Sequence, residues 1–596
     1  MAAFERTLRR IPELLIPIFF RPGFSYSLAD FQADFLAGVT VALIQVPQSM
    51  AFALTAGLPA VYGLYASIPG CIASIWGSSR QLSTGPVAVI SLLTLTSLVP
   101  FAEPGSQEFI GLAALLAILV GIIYLAIGLF RLGFFLQLVP QSVVVGFSSA
   151  AAAIIVITQL PTFLGISFTQ HELVLQNIAE LIEHLPTLSF FTLLAGIIAA
   201  MLLLAAKRLP KVFPGALVVL ALGIAASYLL HLSDHGIVLI ANIPSSLPSF
   251  ALPPLSAVPF LSLIPKAGII ALVGFVQAHA TGKIASAKTK EPINTNQELV
   301  GQGLANLVGG FFQSFPISGS FTRTAVNVEA GARTGVAGVV ATAMTVLALL
   351  FLTPVFYFLP KTVLAAIVIV AAIPLIDFKR LQDMYRISQT DGFVALLTFA
   401  IAFILKPDDA IFIGIVAALL IFIHRTTWGA RAFEMGADKH WNTLRGAIDE
   451  EQVDTFPGVC IVRIGMSMYY ANTQNLVDQI QQIMKVHAER EKTPVHTLVF
   501  DASSVDFMDT TAAEIFSDFL ERLHTRNVHL AIIYLRKGMR HALETMPGLF
   551  DVTVLHNISE LKQYCVPHHG TLILTGTQPE RLGRATRESM RDLPSR

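Results

Sequence analysis

Charge is what this chain has least of. Asp, Glu, Lys and Arg make up 13% of its 596 residues, and the two signs cancel to a formal net charge of +0. A soluble globular protein carries about 25% charge, so an ordinary soluble enzyme is excluded. The cancelled balance also argues against the basic footprint of a nucleic-acid partner. Cysteine is scarce too. Cys71, Cys460 and Cys565 stand too far apart for a chelating or disulfide pattern and read as buried thiols. No GxxxxGK[ST] loop occurs, which removes nucleotide hydrolysis as an energy source. Nothing calls for a cofactor or a metal ion. The opening Arg6, Arg9 and Arg10 precede a short apolar run that holds Glu13 and two prolines. With no small-residue cleavage site, it reads as a segment on the cytoplasmic membrane surface and not as a signal peptide.

What is there instead is apolar: 54% of the residues are hydrophobic and the mean hydropathy is +0.68. Apolar stretches follow one another from Asp30 to about His424. There are about fourteen, near 32–55, 60–77, 83–100, 107–130, 133–160, 187–206, 212–231, 266–285, 296–313, 316–331, 334–358, 361–376, 390–406 and 408–426. Numbering the loops from a cytoplasmic N-terminus puts Arg80, Arg131, Lys207, Lys283, Arg333, Lys379 and Arg425 on the cytoplasmic side. Opposite fall only Lys266, Lys361 and Lys406 near segment ends, together with Glu103, Glu108, Glu172 and Asp234, so the positive-inside rule is met almost everywhere. An even count returns the C-terminus to the cytoplasm, so the reading is a multi-pass protein of the cell (inner) membrane.

Two of the stretches are short and broken. The third reads Gln81-Leu-Ser-Thr-Gly-Pro-Val, and the tenth reads Phe315-Pro-Ile-Ser-Gly-Ser-Phe-Thr-Arg. Each is third in a group of seven, which predicts a 7+7 repeat whose odd span count inverts one half against the other. Proline followed by small hydroxyl residues predicts an unwound lead into a helix N-terminus, where unpaired N–H groups attract an anion. Arg323 would add a full positive charge, and a charge inside a membrane needs a task or a partner. The first segment of each group also carries polar residues: Gln45 and Gln48 around Pro47, then Gln277, His279 and Thr281. Singly these are the usual helix–helix hydrogen bonds; their recurrence at matching positions points to a site.

After Arg431 the composition changes. Residues 431–454 read as a polar linker, 455–566 as a small α/β domain with strand and helix signals in alternation, and 567–596 as a disordered tail. Residues 1–30 form the N-terminal segment and 31–430 the membrane domain.

These residues resemble the sulfate permease (SulP) family of anion transporters, which joins such a bundle to a C-terminal STAS domain. The resemblance rests on Val46-Pro47-Gln48, on Gly57 through Tyr65, on Gly77 through Ala88, and on Asn296-Gln-Glu298-Leu through Asn306. The Phe315–Asn327 stretch and Phe500 through Ala512 complete it. It implies an all-α membrane domain with half-helices in the third and tenth segments. A core of segments 1–4 and 8–11 would move against a gate of 5–7 and 12–14. It implies an anion held by Gln48 and Phe52, by Gly85, Pro86 and Val87, and by Ser320, Phe321, Thr322 and Arg323. Val87 stands where the family often has an aromatic residue. The resemblance also implies a lipid bilayer around a homodimer, and a cytoplasmic regulatory protein at the STAS domain. Gln277 stands where many members carry a carboxylate that binds sodium or a proton, with Thr281 and Lys283 matching. An amide brings no charge, so Gln277, His279, Thr281 and Glu298 are the coupling candidates, and sodium or proton binding at Gln277 is weakened. The plain alternatives are a packed His279 and water-exposed, helix-end Glu298 and Glu329. In the turn at Asp509, Thr510 and Thr511 are regulatory candidates by phosphorylation, with Thr510 as N-cap the alternative. Sulfate, bicarbonate, chloride, nitrate and dicarboxylates all remain open as substrates. An anion channel of the same fold, a nucleobase permease and a membrane tether for signalling are the competing classes. A nucleobase site would want carboxylates where Gln277 and Arg323 stand.

Overall fold

The structure, a computed structural model, describes residues 17, 26–134, 140–167, 171, 173–208, 214–240, 246–253, 260–290, 292–438, 443–446, 453–545, 552–565 and 580–582. The N-terminal segment read on the membrane surface lies almost wholly outside them. Two compact units divide the chain at Ala418 and Leu419.

The first unit is helical. It runs through α1 (Leu28–Thr55), α2 (Val61–Ser67), α3 (Gly70–Trp76), a two-residue β1 (Thr84–Gly85), α4 (Ala88–Leu98), α5 (Gln107–Leu129) and α6 (Gln141–Leu164). Then come α7 (Val174–Glu183), α8 (Phe190–Ala206), α9 (Gly215–Leu230), α10 (Phe260–Thr289), α11 (Thr295–Phe311), a two-residue β2 (Ser318–Gly319) and α12 (Phe321–Glu329). It closes with α13 (Val336–Phe351), α14 (Thr353–Phe356), α15 (Lys361–Ala372), α16 (Phe378–Ile387), α17 (Gln389–Ile404) and α18 (Pro407–Trp428), the last of which runs into the second unit. By length and composition six described helical spans can cross a membrane, and six apolar helices are shorter. The amphipathic α7 and α16 lie between the apolar stretches and were not foreseen; ten residues each, they are too short to register as spans.

Local chemistry sets the ends. Ser27 and Asp30 close a capping box on α1, Ser106 caps α5, and Asn294 caps α11 by accepting from the Asn296 and Gln297 N–H groups. Glycine lets helices approach to backbone contact: a Cβ on Gly303 would lie 2.9 Å from the Leu125 nitrogen, and one on Gly310 would lie 2.7 Å from the Ala114 carbonyl. α11 is thereby locked against α5.

The second unit carries β3 (Ala432–Asp438), β4 (Leu444–Gly446), β5 (Val453–Asp454), β6 (Val459–Ile464), α19 (Thr473–Glu491), β7 (Thr497–Asp501) and α20 (Thr510–Thr525). It continues with β8 (His529–Ile533), α21 (Lys537–Thr545), β9 (Val552–Leu555), α22 (Ile558–Cys565) and β10 (Glu580–Leu582). The sheet order is β10-β9-β8-β7-β6-β3-β4, with β5 paired to β3; β6 to β9 are parallel and the outer pairs antiparallel. Two readings are corrected. The polar linker at 431–454 contains β3, which is paired to β6 on one side and β4 and β5 on the other and buries Met435 and Ala437, so this stretch is part of the sheet and not a tether. Within the tail, 580–582 pairs with β9; its other residues, 567–579 and 583–596, lie outside the described ones.

A polar cluster ties β3 to α19. The Glu434 carboxylate receives His487 Nδ1 at 2.7 Å and Arg490 Nη1 at 3.1 Å, while His487 Nε2 faces the Phe456 carbonyl at 3.2 Å. Burial alone would push the Glu434 carboxyl up, but hydrogen bonds from His487 and Arg490, together with their charges, hold it below its ordinary value. Burial pushes the Cys460 and Cys565 thiols up to about 12, which keeps them unreactive. Because the folded carboxyl is depressed, its stabilisation is complete at neutral pH and fades as pH falls below the ordinary carboxylate range. Glu434→Ala strands a buried histidine and loosens a part-exposed arginine. It should lower the unfolding free energy of this unit by about 3 kcal/mol at pH 7, with a smaller loss in acid. Denaturant titration of the second unit's unfolding transition at both pH values checks this, and an unchanged midpoint refutes it.

Candidate functional site

The two broken segments meet. β1 and β2 pair antiparallel, Thr84 opposite Gly319 and Gly85 opposite Ser318, and the Ser320 N–H donates to the Ser83 carbonyl at 2.9 Å. Backbone freed by unwinding two helices is thus satisfied by the other unwound segment, the one arrangement that keeps such backbone buried at low cost. α4 starts just beyond Gly85-Pro86-Val87, with no side chain capping its first N–H groups. α12 starts just beyond β2, with Ser320 as N-cap. Two helix N-termini therefore flank one two-residue ladder.

Arg323 fills that junction. It is 0% exposed. Its Nη1 donates to the Pro86 carbonyl at 2.9 Å and its Nε to Ser83 Oγ at 3.4 Å. Nη2 is buried with no partner among the described residues. A Cβ on Gly85 would come within 3.1 Å of that same nitrogen, so a larger residue there would press on the guanidinium. The arrangement leaves one cationic donor and two helix ends unneutralised, which is the chemistry of an anion site.

Other candidates from the sequence distribute as follows. Gln48 is buried, its Oε1 with no partner among the described residues, whereas Gln45 donates to Thr345 Oγ1 at 3.4 Å and is a helix–helix tie. Ser49, next to Gln48, accepts from Ser67 Oγ at 2.7 Å, and the Ser67 Cα lies 3.9 Å from the Cβ position of Gly85. That links the Gln48 stretch of α1 to β1. Phe52 and Val87 are buried in the same apolar cluster. Phe321 and Thr322 are exposed in the first turn of α12, and the Thr322 hydroxyl lies 3.3 Å from Ser320 Oγ. In α10, Thr281 Oγ1 donates back to the Gln277 carbonyl at 2.7 Å. His279 stacks on Phe275 with centroids 5.6 Å apart, and both ring nitrogens are buried with no partner among the described residues. α10 reaches the ladder through Gly274, whose carbonyl accepts from Ser318 Oγ at 2.5 Å.

Two expectations are corrected. Glu298 is not a water-exposed helix end. It is 2% exposed and accepts from the Ser78 N–H at 2.9 Å, the Ser79 N–H at 3.0 Å, Ser78 Oγ at 3.2 Å and Gln302 Nε2 at 3.2 Å. Glu329, by contrast, is exposed at the end of α12. Nor is Thr510 the N-cap of α20. Asp509 takes that place, accepting from the Ala512 N–H at 2.8 Å and the Tyr470 N–H at 2.9 Å. A carboxylate is charge-matched to a helix start, and it leaves Thr510 and Thr511 exposed in the first turn.

Sequence reasoning missed Ser83, Thr84, Gln302 and Asn306. Ser83 and Thr84 sat in plain view in the broken segment, yet nothing in a single chain's pattern announces a two-residue strand pairing across more than two hundred positions. The polar i, i+4, i+8 spacing of Glu298, Gln302 and Asn306 was the available signal. Glu298→Ala leaves the buried Ser79 N–H and the part-buried Ser78 N–H unpaired and should lower the unfolding free energy of the membrane unit by about 3 kcal/mol, with Glu298→Gln intermediate. Thermal unfolding in detergent measures it; equal melting of wild type and Glu298→Ala contradicts it.

Residues 31–398 match the sulfate permease family, and residues 451–551 match the STAS domain. The chain is 32% identical over 516 residues to a probable sulfate transporter 4.2 of Arabidopsis thaliana, an overlap covering 84% of this chain and 76% of that protein. It is 28% identical to a sodium-independent sulfate anion transporter of Bos taurus, over 93% and 92% of the two chains. In three dimensions it is similar to the murine Slc26a9 anion transporter in its inward-facing state, with a TM-score of 0.80 at 23% identity over 91% and 90% of the chains. A helical unit joined to an α/β unit, the paired broken segments, and a family match running through most of the first unit lead to one conclusion: the chain belongs to the sulfate permease family, whose members are multi-pass membrane transporters and not enzymes.

Proposed function

We propose that this chain is a secondary transporter of a small oxyanion, sulfate first, working by alternating access. The observation that carries the reading is Arg323: a buried guanidinium with one donor unpartnered, set where two helix N-termini meet across the β1–β2 ladder. A tetrahedral dianion presents several oxygens and suits one cationic donor plus backbone N–H groups. Gln48, Phe52, Gly85, Pro86, Val87, Ser320 and Arg323 are the proposed contacts, while Phe321 and Thr322 would face the approach to the site. The names of the Arabidopsis and Bos taurus relatives support sulfate over the other anions. In this reading the core of segments 1–4 and 8–11 carries the anion past the gate of 5–7 and 12–14. The protein works as a dimer in the cell membrane with both termini in the cytoplasm, and exposed Thr510 is a phosphorylation site on the STAS domain. The test is uptake of labelled sulfate into liposomes, with bicarbonate, chloride, nitrate and succinate as competitors. Uptake against a gradient supports transport; conduction that only dissipates gradients points to a channel.

Arg323→Ala should raise the apparent KM for sulfate about tenfold to a hundredfold, equivalent to roughly 1.5–3 kcal/mol for a charge-assisted contact. A folded variant with wild-type KM would remove the site assignment.

Coupling follows from Gln277. Its side chain offers an amide oxygen and no charge, Thr281 bonds the Gln277 carbonyl, and the family position that binds cations is neutral here. Uptake should therefore change less than about twofold when a sodium gradient is imposed at fixed voltage, and the anion gradients drive exchange or uniport. The sodium-independent Bos taurus relative supports this reading. Gln277→Glu should introduce dependence on sodium or on protons. Steep sodium dependence in the wild type overturns it.

A further inference from the structure

α11 carries three buried polar side chains spaced four residues apart, Glu298, Gln302 and Asn306, each no more than 2% exposed. Four-residue spacing keeps them on one face. Glu298 holds the Ser78–Ser79 turn that leads into the third segment. Gln302 Nε2 donates to Thr84 Oγ1 at 2.7 Å, in β1 itself. Asn306 pairs with Ile317 on both sides: its Nδ2 donates to the Ile317 carbonyl at 3.0 Å, and its Oδ1 accepts from the Ile317 N–H at 2.9 Å. Ile317 immediately precedes β2. An amide paired with both backbone groups of one residue acts as an added strand residue beside β2. One helix therefore holds the lead of both interrupted segments.

The helix is itself fixed. A Cβ on Gly301 would lie 2.5 Å from the Gly77 nitrogen, so α11 cannot turn without forcing the Ser78 turn aside. Glu298 receives four neutral donors, three from the Ser78–Ser79 turn and one from Gln302, and has no ion pair among the described residues, so its contacts tie α11 to that turn.

The geometry points to Glu298, Gln302 and Asn306 as a positioning ladder that sets the register of β1 against β2 and thereby the place of Arg323 and the two helix N-termini. This rests on the anion site proposed above. None of the three touches the anion; they act through Thr84 and Ile317. A ladder that only stabilised the fold would change melting and yield but leave sulfate affinity in the folded protein alone.

The experiment is a double-mutant cycle on the full chain in liposomes, read as the KM for sulfate, with melting measured in parallel. Asn306→Ala should raise KM about tenfold in the wild-type background and less than about twofold in the Arg323→Ala background, because a displaced β2 has then nothing left to misplace. Equal factors in both backgrounds, or an unchanged KM with lowered melting, overturn the ladder. If Asn306→Ala fails to fold, Asn306→Asp keeps the acceptor for Ile317 N–H and turns an oxygen toward its carbonyl. It should show the same dependence on Arg323. The parent reading fails separately, on a wild-type KM in Arg323→Ala alone.

Discussion

A guanidinium with no exposure to water sets the terms for the membrane unit. Arg323 carries a charge into an apolar interior, and such a charge persists only where dipoles and acceptors replace water. The Pro86 carbonyl and Ser83 hydroxyl supply two of those contacts. Both belong to the segment opposite the one that bears the arginine. The charge therefore joins the two halves of the sequence, and the β1–β2 ladder brings them to the distance the bonds require. Unwinding either helix alone would expose unpaired backbone; unwinding both and pairing them solves the problem for each.

Buried carboxylates do related work away from that junction. Glu298 gathers the Ser78 and Ser79 N–H groups, and Asp34 on α1 gathers those of Arg333 and Thr334 at 2.7 and 2.9 Å. Each is a short acidic side chain fixing a turn next to an interrupted segment: Ser78 and Ser79 before β1, Arg333 and Thr334 after α12. Arg333 also pairs with Asp30 at 2.9 Å, an exposed contact of small worth beside the buried one. The result is a site whose helix ends are held at both approaches while its centre keeps an unpartnered cationic donor.

Much of this was legible in the sequence, and the reason is physical. Long apolar runs, basic loops on one side and two proline-broken segments at matching positions follow from the bilayer, which forbids most other arrangements. Arg323, Gly85 and Ser320 could be singled out because a charge, a glycine and small hydroxyls are conspicuous in such surroundings. What escaped was pairwise. Glu298 read as a helix-end charge because nothing local says that the Ser78 turn comes back to cover it. Thr510 read as an N-cap because a hydroxyl and a carboxylate one residue apart are both good caps, and the carboxylate took the place. The strand β3 passed for a linker because its polar flanks outweighed the buried Met435 and Ala437.

The central claim is that an anion sits between the starts of α4 and α12 against Arg323. It is tested most directly by locating a heavy oxyanion in the protein. Crystals of the full chain grown with selenate and measured at the selenium edge should show one anomalous peak within hydrogen-bonding distance of Arg323 Nη2 and of the first N–H groups of both helices. That peak should be lost when sulfate is added in excess. A sulfate-displaceable peak elsewhere in the membrane unit, with none at Arg323, would contradict the account.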